Sequence, residues 1–73
     1  MDISYVVLIE KSETGYAAHV PDLPTILVAG DTVDEVKQLA KEAIEIYHQE
    51  MELRGEPLPP PVTTAEIVNC SLN

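Results

Sequence analysis

The sequence contains no tryptophan and no phenylalanine, only one cysteine, and very few basic residues. Without large aromatic rings, the core of this 73-residue chain must be built from aliphatic side chains and three tyrosines. The single cysteine, Cys70, cannot form an internal disulfide, and no cysteine cluster indicates structural zinc. A core of this size supplies only about 3–5 kcal/mol. We therefore expect one domain, residues 1–73, that gains further stability by self-association.

Basic side chains are scarce: four Lys and Arg residues stand against thirteen Asp and Glu residues, for a net charge of −9. Such a surface repels the phosphate backbone of nucleic acids and attracts basic partners. The composition therefore argues against direct binding to DNA or RNA. The alternative is that the acidic surface only maintains solubility.

The sequence also lacks a basic amino-terminal leader. It has no apolar run of the roughly 18–20 residues that a membrane helix requires. Together with the single cysteine, these absences predict a cytoplasmic protein.

Short apolar segments separated by turn residues predict three strands. Residues 3–10 are rich in Val, Ile and Tyr and predict the first strand, and a polar connection ending in Gly15 predicts a hairpin. Residues 16–20 predict the second strand. The two prolines of residues 21–24 predict a stiff, non-helical loop, and residues 25–29 predict the third strand.

A helix is predicted after the third strand. Thr32 followed by Glu35 matches a capping box, and apolar residues recur at helical spacing as far as Met51. Gly55 is positioned to end the helix. The proline-rich residues 57–61 cannot continue it and predict a polyproline II spacer.

The last predicted element is a fourth strand at residues 63–72, in which Cys70 would be a small buried side chain. In the resulting order β-β-β-α-β, the first three strands form an antiparallel meander. A right-handed crossover through the helix would return the fourth strand beside the first and parallel to it. We therefore expect an α+β fold with a four-stranded mixed sheet in the order 3-2-1-4 and the helix on one face.

One helix can cover only one face of a sheet. The other face is predicted to be apolar as well, and we expect it to form the interface of a homodimer or higher oligomer. The residues expected there are Val6, Leu8, Leu27 and Ile67. The alternative is that a few exposed aliphatic side chains cause no association.

No motif for catalysis, metal binding or cofactor binding is found. A two-metal nuclease needs three or four converging carboxylates, whereas residues 5–8, at the middle of the first strand, carry none. His19 and His48 lie in no ligand motif, and no serine lies in a nucleophile elbow. We expect a protein that is not an enzyme and that binds no metal or cofactor.

Three motifs follow one another between Tyr16 and Pro61. They read Tyr-Ala-Ala-His-Val-Pro-Asp-Leu-Pro at 16–24, Gly-Asp-Thr at 30–32 and Gly-Glu-Pro-Leu-Pro-Pro-Pro at 55–61. The chain thereby resembles the HicB-like antitoxin family, in which Y-x-A-x-x-P-D-L-P, G-D-T, a helix and G-E-P-x-P-x-P recur with nearly this spacing. The resemblance implies a partial RNase H-like fold, which has the element order deduced above.

The resemblance also implies a function. HicB-like antitoxins bind a small basic toxin, HicA, which cleaves messenger RNA, and they neutralise it by covering its active surface. The net charge of −9 suits the attraction of such a partner. The candidate contact residues lie in the stiff loop and on the polar side of the helix: Asp22, Asp34, Glu35, Glu42, Glu45 and Glu52. The alternatives are that Asp22 caps a turn and that the helix face is merely solvated.

Two features depart from the family pattern. Many members continue into a DNA-binding domain, whereas this sequence stops at Asn73, so operator binding is not implied. The family loop often reads P-D-L-P-G-C, but Thr25 and Ile26 follow Pro24 here, which removes a permissive glycine from a loop that would face a toxin. A solitary homo-oligomer that binds a small molecule or another regulator is therefore the second hypothesis.

Overall fold

A computed structural model describes residues 2–73 and shows three strands followed by one helix. Strand β1 spans Leu8–Lys11, β2 spans Tyr16–Val20 and β3 spans Leu23–Gly30. Helix α1 spans Val33–Arg54. The strands form one antiparallel sheet in the order β1-β2-β3, so the α+β class is as expected.

The register of the sheet is set by two short connections. The β1–β2 turn is closed by the Ser12 N–H, which donates to the Gly15 carbonyl at 2.8 Å. This turn places Leu8 opposite His19, and His19 in turn lies opposite Leu27 of β3. An irregularity after His19 shifts the register at the end of β2, before the chain turns into β3.

Both ends of α1 follow the sequence prediction. The Thr32 hydroxyl oxygen accepts a hydrogen bond from the Glu35 N–H at 3.1 Å and so caps the amino end. At the other end, Gly55 has a left-handed φ of 69° and donates to the Glu52 carbonyl at 3.1 Å. The Glu56 N–H donates to the Met51 carbonyl at 2.9 Å, which completes a Schellman motif. These caps fix where the chain leaves the helix.

The core lies between α1 and one face of the sheet, and it is aliphatic as predicted. The fully or nearly fully buried side chains are Ala18, Val20, Leu23, Ile26, Val36, Ala40 and Met51. Tyr5, Val7, Ala43, Ile44 and Tyr47 pack partly buried against this cluster. No polar or charged residue among residues 2–73 is buried.

The predicted four-stranded sheet in the order 3-2-1-4 is wrong. Residues 63–72 form no strand, and Ile67, Val68 and Leu72 are exposed. Proline-rich residues 57–61 hold the chain extended after the helix, and nothing pairs residues 63–72 with β1. The prediction of a buried Cys70 fails for the same reason, because Cys70 is exposed.

Two strand boundaries also differ from the prediction. Strand β1 begins at Leu8 rather than at residue 3, because its partner β2 ends only one residue beyond the position opposite Leu8 and offers residues 3–6 nothing to pair with. Strand β3 begins at Leu23 and includes Pro24. Because β3 is an edge strand, a proline without an N–H is tolerated there.

Within residues 2–73, no helix combines the length and the apolar character needed to cross a bilayer.

Candidate functional site

A hydrogen-bonded clamp joins the segment after the helix to the base of the sheet. Both carboxylate oxygens of Asp22 accept hydrogen bonds from Thr63, one from its N–H at 3.1 Å and one from its hydroxyl at 2.9 Å. The Tyr5 hydroxyl donates to the Pro59 carbonyl. We call residues 57–63 the linker. The linker is therefore held at two points, Pro59 and Thr63. The sequence predicted that the Asp22 carboxylate would face a partner, but here it accepts hydrogen bonds from Thr63 of the same chain.

The surroundings of the clamp change the pKa of the Tyr5 phenol. Burial raises the pKa of Tyr5, and the nearby negative charge of Asp22 and the neighbouring Tyr47 raise it further. A raised folded-state pKa favours the neutral phenol. Its contribution to stability is therefore complete below the ordinary pKa of tyrosine and is lost as the pH rises through the raised value. The neutral phenol is also the form that donates to Pro59.

The clamp can be tested by replacing Asp22 with alanine. Hydrogen bonds to a charged acceptor contribute about 1.5–3 kcal/mol. We expect the Thr63 amide proton to exchange roughly ten- to a hundredfold faster in Asp22→Ala, measured by NMR hydrogen exchange. Asp31→Ala is the matched control, because Asp31 is exposed just before the helix. Equal exchange at Thr63 in both variants would show that the clamp contributes nothing.

The predicted acidic residues of α1 form one exposed surface. With about 100° between successive residues, they fall within an arc of roughly 100°, on the side of the helix away from the core. We call this surface the acidic arc; it comprises Asp34, Glu35, Glu42, Glu45 and Glu52, all exposed. Gln38 donates to the Glu42 carboxylate at 3.0 Å, and the His48 Nε2 lies 2.9 Å from the Glu52 Oε1. The structure thus shows these five side chains exposed, and their contact with a partner stays a prediction.

The sheet face opposite α1 is partly apolar. The strand register aligns Leu8, His19 and Leu27 in one row, whereas their neighbour Ala18 is buried beneath the helix. We call the row of Leu8 and Leu27 the open sheet face, and Leu27 is 74% exposed. Of the other two residues expected at an oligomer interface, Val6 is half-buried before β1, and Ile67 lies outside the sheet.

A groove that was not predicted separates residues 2–7 from α1. Its volume is about 540 Å³, and its floor includes Ile3, Val7, Ile44 and Leu58. Lys37 and Lys41 line it, and so do the acidic residues Asp2 and Glu45. The only sequence signal for it was two lysines four positions apart beside the apolar stripe. That signal did not show which residues would lie opposite them.

Among residues 2–73, no group of three or more His, Cys, Asp and Glu side chains is arranged to hold a metal ion. The described residues define a small acidic α+β domain whose exposed features are an acidic helix surface, a partly apolar sheet face and a groove. The chain belongs to the family described as "HicB_like antitoxin of bacterial toxin-antitoxin system", whose model matches residues 5–71. Membership confirms the resemblance stated above, and the family is described as one of antitoxins in bacterial toxin-antitoxin systems.

Individual relatives come from a phage, a cyanobacterium and an archaeon. The chain is 44% identical to a 14.9 kDa protein in the rep-hol intergenic region of Haemophilus phage HP1, over 75% of this chain and 41% of that protein. It is 42% identical to a UPF0150 protein of Synechocystis, over 70% of this chain and 75% of that protein. A UPF0150 protein of Archaeoglobus fulgidus is 39% identical over 62% of this chain and 67% of its own length. No solved structure matches the chain.

Proposed function

We propose that this chain is an antitoxin that binds a small basic toxin of the HicA type, an mRNA-cleaving protein, and neutralises it by covering its active surface. The family match over residues 5–71 carries the proposal. The net charge of −9 supports it, because an acidic protein attracts a cationic partner over long range and binds it more weakly as salt screens the charges.

The acidic arc is the contact surface in this proposal. Its carboxylates are exposed on a helix that is capped at both ends, so they are presented on a rigid element. Asp22 has a different role, because both of its oxygens already bond to Thr63. It positions the linker rather than contacting the toxin.

The first experiment is affinity capture of the chain from its host at low salt, followed by mass spectrometry. The proposal expects a small basic protein in stoichiometric amount that is released at high salt. Expression of that protein alone should arrest growth, and co-expression of this chain should restore growth. Recovery of the chain without such a partner would contradict the proposal.

A charge-matched comparison tests the acidic arc itself. Replacing Glu35, Glu42 and Glu45 with glutamine is expected to slow association with the captured protein about tenfold at low salt, because steering by local charge is lost. The control replaces Glu13, Glu50 and Glu56 with glutamine, which changes the net charge by the same amount. Stopped-flow association rates that fall equally in both variants would indicate that only the net charge matters and would reject the acidic arc as the contact surface.

The second candidate function is that of a homo-oligomeric regulatory module without a toxin, which could bind a small ligand. The exposure of Leu8 and Leu27 on the open sheet face favours self-association, because water-exposed apolar side chains on adjacent strands are stabilised by burial against another copy. Capture of the chain alone, as a stable oligomer, would favour this function over the first.

A further inference from the structure

The segment that follows the linker is unpaired. We call residues 64–72 the arm. It forms no strand or helix, Leu72 is 89% exposed, and Ile67 and Val68 are also exposed. The radius of gyration is 14.4 Å, against about 11 Å for a compact chain of this length. The arm therefore leaves several aliphatic side chains in water.

The linker holds the arm away from its own domain. Its prolines favour a stiff polyproline II conformation, which does not bend back as a glycine-rich linker would. The clamp holds the linker at two points, to Tyr5 through Pro59 and to Asp22 through Thr63. The arm thus departs from a fixed point in an outward direction, which favours contact with another molecule over return to its own sheet.

The groove provides a matching surface. Helix α1 packs mainly on β2 and β3, and the groove lies between the helix and residues 2–7. Residues 2–7 lie outside the sheet, so their main-chain groups have no strand partner in the described chain. The groove thus combines unpaired main chain, an apolar floor that includes Ile3 and Ile44, and a rim of mixed charge. Lys37 and Lys41 supply the positive charges of this rim, and Asp2 and Glu45 supply the negative ones.

We propose that two copies of this chain exchange arms, so that the arm of each lies extended in the groove of the other. Main-chain groups of the arm would pair with residues 3–7, as in β-strand addition, and Ile67 and Val68 would cover the apolar floor. Glu66 of the arm complements Lys37 and Lys41. Nine extended residues span about 30 Å. The arm is therefore long enough to lie along residues 2–7, which span roughly 20 Å when extended.

Arm exchange does not depend on the proposed antitoxin function and is tested first by the oligomeric state. Sedimentation equilibrium of the full chain is expected to show a dimer, and the double variant Ile67→Asp/Val68→Asp is expected to raise the dimer dissociation constant at least about tenfold. Leu53→Asp is the matched control: Leu53 is 89% exposed, as is Leu72, but lies on the flank of α1 away from the groove. Its dissociation constant should match that of the wild-type chain.

A second variant, truncated after Thr63, keeps the clamp and removes the arm, and it is expected to be monomeric with an unchanged circular dichroism spectrum of the helix. A dimer that survives this truncation would place the contact elsewhere, for example on the open sheet face, and would overturn the proposal. A wild-type chain that is monomeric at high micromolar concentration would overturn it as well.

The groove is tested by disulfide trapping, because Cys70 is the only cysteine and lies in the arm. Variants Asp2→Cys and Ser4→Cys, each in a Cys70→Ser background, are mixed with the wild-type chain and oxidised. A disulfide forms only when the two Cα atoms come within about 7 Å, so a mixed disulfide reports contact between different copies. At least one of these variants should cross-link about tenfold faster than the control Gln49→Cys/Cys70→Ser, whose cysteine lies on the exposed side of α1. Equal rates would exclude the groove as the site of the arm.

Discussion

Replacing Leu23 with alanine is expected to leave the protein only marginally stable at room temperature. Leu23 is 0% exposed and packs with Val20 and Ile26 at the centre of the core. Leucine-to-alanine changes in a core cost about 2–5 kcal/mol, because the lost apolar contacts are not replaced and a cavity remains. A domain of this size has only about 3–5 kcal/mol of stability from its core. The change therefore removes most of the free energy of unfolding.

Urea unfolding followed by circular dichroism measures the effect, preferably with a stabilising osmolyte so that a folded baseline exists. The same substitution at Leu53, which is 89% exposed on α1, is expected to change the free energy of unfolding by less than about 0.5 kcal/mol. A loss of under about 1 kcal/mol in Leu23→Ala would mean that the core around Leu23 collapses to fill the cavity.

Replacing Gly15 with alanine is expected to destabilise the sheet by at least about 1–3 kcal/mol. Gly15 precedes β2, and a Cβ at this position would lie closer than 3.0 Å to the main-chain carbonyl oxygen of Gly30. Because Tyr16 pairs with Gly30, that carbonyl belongs to the β2–β3 ladder and cannot move without disturbing it. The clash is thus with the backbone of the sheet.

The opposite glycine provides the matched control. In Gly30→Ala the new Cβ would meet the side chain of Glu35, which is exposed and can rotate away. We expect a cost below about 1 kcal/mol there, because alanine also reduces the entropy of the unfolded chain. Thermal unfolding of both variants compares the two costs. Equal melting temperatures would show that the β1–β2 turn shifts to relieve the clash.

The parts of the fold that depend on local signals were predictable from the sequence. Thr32, Glu35 and Gly55 defined both ends of α1 because helix caps depend on residues within one turn. Strand β2 also matched its prediction. The fourth strand failed because β propensity in residues 63–72 reports only a preference for extended backbone. Whether an edge is within reach depends on the direction in which the linker leaves the helix.

The candidate functional site likewise has one part that local sequence signals predict and another that depends on contacts between distant residues. The acidic arc follows from helical periodicity alone, so its residues could be named before the structure was known. The bond between Asp22 and Thr63 joins positions 41 residues apart, and no local pattern signals it. The groove likewise depends on the packing of residues 2–7 beside Lys37 and Lys41, which are distant in sequence.

The clamp also has a consequence for the order of folding. Its contacts close loops of 54 residues between Tyr5 and Pro59 and of 41 residues between Asp22 and Thr63. Loop closure of this length is entropically costly until the intervening structure has formed, so these bonds should form last. They should also break first in local unfolding, while the sheet and α1 remain intact. The linker and arm would then detach together as one unit, open to proteolysis, on a protein that is otherwise still folded.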